Sequence, residues 1–220
     1  MIRGTCHLMT GPRHSRPAGN LTSDPDPRPH RAVFSRETRI ALPPWIDDAV
    51  DGATVCAGDE AKMALAVRLA SLNVEHGLGG PFGAAVFEQA SGRLVAVGVN
   101  RVVEHRCSVA HAEMVAIMLA QATLGCHTLA NGPARDYVLA TSAQPCAMCY
   151  GALGWSGISR LLIGARREDV ESITGFDEGP LPDDWRAGLE RRGIAVVRDL
   201  LREQACAPLR RYRTAGGLVY

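Results

Sequence analysis

The chain has 220 residues, 46% of them hydrophobic, with 24 Lys and Arg against 23 Asp and Glu for a formal net charge of +1. That is enough apolar chain for one substantial core, so a single domain with extensions is expected, and the even charge argues against a protein devoted to gripping nucleic-acid backbone. No apolar run approaches about 18 residues and the N-terminus lacks a signal-peptide core, so neither a membrane span nor export is expected and the protein is placed in the cytoplasm.

Residues 1–42 scatter proline, arginine and histidine with no helix or strand period, which reads as a disordered tail ahead of a folded domain over 43–220. Asp59 opens an amphipathic helix with Met63, Val67, Ala70 and Val74 on its apolar face and a glycine-rich stop. Short β-type runs at 82–87 and 93–99, joined through 89–92, read as a hairpin. Asn100 follows at once and by itself is a turn former.

From Val109 to Ala120 the sequence runs VAHAEMVAIMLA, with His111 and Glu113 as its only ionisable residues. A helix apolar all round is buried, and a buried imidazole and carboxylate ask for a partner. Side chains at i and i+2 diverge in mid-helix, so the pair is expected in a first turn, where both reach past the helix end.

Residues 136–141 form a strand that delivers Pro145, Cys146 and Cys149 to a helix start, with Pro145 suited to the first helical position. Cys146 and Cys149 then share one face of the first turn, where the helix dipole favours thiolate. A strand at 160–164, a helix at 183–192, a strand at 195–198 and a helix at 201–212 complete the chain. Such alternation favours a mixed or parallel sheet covered by helices on both faces.

Taken singly, His-x-Glu fits a satisfied core histidine beside a helix-surface glutamate, and Cys-x-x-Cys fits a redox pair, a structural knuckle or two inert thiols. Taken together, two thiolates and one imidazole suit zinc, and three protein ligands leave the fourth position to water, as in catalytic sites. Glu113 is the natural base for that water. Cys107, four residues before His111, is the rival fourth ligand that would make the site structural. The seven cysteines form an odd, unpatterned set with no disulfide framework.

His-x-Glu with Pro-Cys-x-x-Cys is the signature of the zinc base deaminases. The stretches GPFGAAV (80–86), VGVNR (97–101), AHAE, QPCAMCYGAL and GFDEGP (175–180) resemble the cytidine-deaminase-fold guanine deaminases over about residues 59–220. The resemblance implies an α/β fold, a three-layer α/β/α sandwich with a five-stranded mixed sheet. It implies one Zn2+ per chain on His111, Cys146 and Cys149, with Glu113 and Glu178 as catalytic acids. Phe82, Asn100, Ala112, Phe176 and Asp177 become substrate-binding residues.

The expected reaction is guanine to xanthine and ammonia. The ending RYRTAGGLVY suggests, by the same resemblance, a homodimer that exchanges C-terminal segments over the partner's pocket. Cys107-Ser108-Val109 stands where the family often has Asp-Pro-Thr, and Gln144 where a glutamate commonly precedes Pro-Cys. Deamination of guanosine, cytidine, ammeline or a tRNA adenosine, and a non-catalytic zinc-stabilised or thiol-redox module, remain the alternatives.

Overall fold

Two short, nearly continuous apolar runs make the first two strands, β1 (Gly83–Glu88) and β2 (Leu94–Val99), an antiparallel hairpin with Gly83 opposite Val99. The computed structural model describes residues 35–134 and 136–220, so residues 1–34 of the expected tail lie outside the described residues. The folded unit begins at Arg39. His105 Nε2 lies within hydrogen-bond distance of the Ala41 backbone, and Leu42 packs on the core, so contacts start just ahead of 43.

β3 (Tyr137–Ala143) pairs antiparallel with β1, while β4 (Arg160–Ala165) and β5 (Ala195–Val197) continue from it in parallel. The order is β2-β1-β3-β4-β5, the five-stranded mixed sheet that was expected. Because β1 runs against both β2 and β3, those two strands point the same way. Their carboxyl ends therefore share one edge of the sheet, and each leads toward a helix that begins there.

Ahead of the hairpin come α1 (Ile46–Ala49) and α2 (Gly58–Glu75). Between β2 and β3 lie α3 (Val102–His105) and α4 (Ala112–Leu124), and between β3 and β4 lies α5 (Ala147–Ser156). α6 (Arg167–Thr174), α7 (Trp185–Glu190) and α8 (Arg202–Thr214) follow. The period-two pattern of β1 sorts these helices into layers. Ala85 and Phe87 join a cluster with Met63 and Ala66 of α2 and Leu209 of α8, while Ala84 and Val86 face Ala116 of α4, Leu153 of α5 and Leu189 of α7.

α4 approaches β2 closely because Gly98 has no side chain. A Cβ there would stand 2.1 Å from the Ala112 carbonyl oxygen, so a larger residue would push the α4 start off the sheet. The segment Ala112–Asn131 is apolar enough to suggest a membrane span. The helix itself, however, stops at Leu124, with Gly125 in the left-handed region at φ 64°. Thirteen residues rise only about 20 Å, short of the roughly 30 Å of a bilayer core.

Two sequence expectations shift. α5 starts at Ala147 with Cys146 at the N-cap, so Pro145 lies one residue ahead of the cap and not at the first helical position. α6 is an element the sequence reading passed over, and it separates β4 from the 175–180 loop.

Candidate active site

His111 is the N-cap of α4, in extended conformation, and Glu113 is the second helical residue. Both side chains therefore reach past the helix end, as the i, i+2 argument requires. Cys146 caps α5 and Cys149 lies in its first turn, at the edge where β3 ends. One candidate donor atom each from His111, Cys146 and Cys149 lies within 4.8 Å of the others. Cys146 Sγ stands 3.5 Å from His111 Nδ1. An imidazole nitrogen and a thiolate at the tetrahedral angle around zinc lie about 3.5 Å apart, so this donor set fits zinc in spacing as well as in chemistry. Cys107 is not among these donors, which leaves the three-ligand arrangement.

The charges favour a cation. A hydrogen bond from the Cys149 thiol holds the Cys146 thiol down to about 4, against the opposing effect of burial, while that same hydrogen bond and burial push Cys149 up. Burial opposes protonation of His111, but its hydrogen bond to Cys146 and the charges of Glu113, Cys146 and Glu178 raise it above its ordinary value. Glu113 is 6% exposed and pushed up by burial and then by the Cys146 charge. Thr141 Oγ1 donates to its Oε1 at 3.2 Å, and the Cys149 thiol lies 3.6 Å from its Oε2.

A cavity of 430 Å³ opens beside this cluster. His111, Glu113, Cys146, Phe82, Phe176, Asp177 and Glu178 all line it, drawn from elements spread across almost a hundred residues. Phe82 and Phe176 meet with ring centroids 5.5 Å apart, forming an apolar wall for a flat ligand. The acidic pair divides its work. Glu178 is buried and pushed up to about 8 by desolvation and by the Cys146 and Glu113 charges. Asp177 is exposed, and its Oδ1 accepts from the Gly179 amide at 2.8 Å, closing the loop turn.

Asn100 and Ala112 stand apart from the cavity wall. Ala112 is fully buried against β2, where its backbone oxygen faces Gly98. Asn100 is 1% exposed, and its Oδ1 faces the Gly80 and Val102 amides at 3.4 and 3.3 Å, while its Nδ2 has no hydrogen-bond partner among the described residues. The Oδ1 orientation is set by those two donors. Asn73 supports the turn by donating to the Gly80 and Asn100 carbonyls at 2.9 and 3.1 Å.

Sequence reading did not name Val102, Ala147, Met148 or Gly179 as lining residues, it singled out Ser108 and Gln144 only as departures, and it placed Tyr220 over a partner's cavity where this structure has it lining its own chain's. Tyr220 packs on Phe176 with centroids 5.0 Å apart, and burial holds its phenol proton firmly. The turn that brings it in was partly visible as Gly216-Gly217. Gly217 lies flat on Tyr212, whose hydroxyl donates to the Leu218 carbonyl at 2.7 Å.

Comparison with known proteins agrees with this geometry. A family model described as the cytidine and deoxycytidylate deaminase zinc-binding region matches residues 57–165. Guanine deaminase of Bacillus subtilis (strain 168) is 35% identical over 138 residues, covering 63% of this chain and 83% of its own. A solved guanine deaminase from Nitrosomonas europaea has a TM-score of 0.77 at 48% identity, covering 83% of this chain and 99% of its own. A structure of NE0047 in complex with 2,6-diaminopurine superposes with a TM-score of 0.77 at 50% identity, over 83% of this chain and 95% of that one.

Proposed function

This chain belongs to the zinc-dependent cytidine and deoxycytidylate deaminase family, and from that premise we propose that it hydrolyses guanine to xanthine and ammonia. The observation that carries the choice of base is Glu178, a second buried carboxyl in the same cavity as Glu113. Guanine carries several N–H donors, and a carboxyl accepts from such groups or donates to a leaving amine according to its protonation. The curated and solved relatives named as guanine deaminases support the same base.

The steps fall to residues already in place. When bound on His111, Cys146 and Cys149, zinc supplies Lewis acidity that lowers the pKa of water from about 15.7 toward 7. Phe82 and Phe176, which line the cavity, hold the purine plane. Glu113 takes a proton from the attacking water and passes it to the ring nitrogen beside C2, while the water oxygen bonds to C2. Glu178 gives its proton to the 2-amino group, the C–N bond breaks, and ammonia leaves. The proton of the new C2 hydroxyl restores Glu178 as xanthine forms.

We further propose a cytoplasmic homodimer in which residues 212–220 close the partner's cavity. Within the single chain the same segment lays Tyr220 against its own Phe176 at the edge of its own cavity. A tRNA substrate is disfavoured by the net charge of +1, since phosphate backbones select strongly basic faces. Xanthine formation from guanine, followed in the ultraviolet with purified protein, tests the assignment.

A further inference from the structure

Glu113 is buried and must hold one rotamer if its free oxygen is to reach both water and substrate. Among the described residues, two side chains donate to it, Thr141 Oγ1 to Oε1 at 3.2 Å and Cys149 Sγ toward Oε2 at 3.6 Å. Only one of these survives metal binding. A cysteine ligates zinc as thiolate, so Cys149 then has no proton to give. The remaining side-chain donor is Thr141, which is 1% exposed in the middle of the sheet on β3, the strand that also leads into Cys146.

We propose that Thr141 is the positioning residue for Glu113. Its hydroxyl fixes Oε1 against the sheet and thereby turns Oε2 toward the cavity. β3 is held on both sides, Thr141 standing opposite Ala84 of β1 and Ile163 of β4, so the anchor sits on a strand paired along both edges. The neighbouring Ser142 works on another part of the wall, accepting from the Gly83 amide at 3.1 Å beside Phe82. β3 thus holds the Glu113 side chain through Thr141 and the backbone next to Phe82 through Ser142.

The inference rests on the reading of Glu113 as proton carrier, and its test separates the two. Thr141→Val keeps shape and volume and removes only the hydroxyl, while Thr141→Ser keeps the hydroxyl and removes a methyl. With zinc content unchanged, Thr141→Val is expected to lower kcat about 10–100-fold with KM within about twofold, and Thr141→Ser to recover most of the loss. A crystal structure of the zinc-loaded Thr141→Val protein should show the Glu113 carboxylate turned from its anchored rotamer. Unchanged kcat in Thr141→Val, or Thr141→Ser as impaired as Thr141→Val, overturns the inference. If the wild type deaminates no base at all, the functional reading fails instead, and the Glu113 rotamer in the Val variant still decides the anchoring role.

Discussion

The Ala147 amide donates to the Glu178 carbonyl at 2.9 Å, pinning the 175–180 loop to the first turn of the helix that carries Cys146 and Cys149. The backbone bond fixes the second acid without using its carboxyl. Glu178→Gln therefore keeps the loop, the fold and the zinc, and loses the transferable proton. Its kcat on guanine should fall at least about 100-fold with zinc content near one per chain. Metal analysis and steady-state kinetics on the same preparation check this, and near wild-type turnover would remove Glu178 from the mechanism.

Zinc retention tests the donor set. Cys149→Ser should lose most of the metal and Cys107→Ser should keep it, because only the former residue lies within the donor cluster. The reverse outcome would reassign the ligands. Stripping zinc by chelation should abolish activity, and adding zinc back should restore it.

Burial raises Glu178 from its ordinary 4.5 to about 8, which makes stability depend on pH in a definite direction. A carboxyl whose folded pKa is raised contributes most below its unfolded value, and the contribution is lost as pH rises through the folded value. In zinc-free protein the Tm of Glu178→Gln should therefore gain on the wild type between about pH 5 and 9, by on the order of 5 °C. Zinc should shrink the gap, since a nearby cation favours the carboxylate. Thermal melts across that range, with and without metal, measure it.

Much of this site was legible because its chemistry is local. Two short stretches carry all three metal donors and Glu113, and a helix apolar around its circumference betrays a buried ionisable pair at its start. The hairpin and the strand before Cys146 were equally plain as short β-type apolar runs. Other features depend on contacts distant in sequence. α6 opens with Arg167, Glu168 and Asp169, and only Val170 and Thr174 are buried, so it carries too little apolar signal to stand out. The split between Asp177 and Glu178 follows from a turn that exposes one and buries the next. Thr141 looked like an ordinary strand residue, because the carboxylate it touches lies 28 positions away in the sequence.

The C-terminal segment allows a complementation test of the exchanged dimer. Removing residues 213–220 should damage activity more than zinc binding. Glu113→Gln, with its tail intact, should be inactive for a separate reason. If tails are exchanged, mixed dimers of these two variants regain activity, since the intact Glu113 of one chain lies under the tail of the other. If each tail covers its own chain's cavity, mixing restores nothing.

The most direct measurement is ammonia release by zinc-loaded protein across guanine, guanosine, ammeline, cytosine, cytidine, adenine and a tRNA anticodon stem, with Glu113→Gln as the paired control. Guanine should be turned over in preference to the rest and yield xanthine, and the control should retain zinc while losing several orders of magnitude in kcat. An inert guanine beside active turnover of cytidine or the tRNA stem would contradict the guanine assignment, and a Glu113→Gln protein with near wild-type turnover would contradict the mechanism itself.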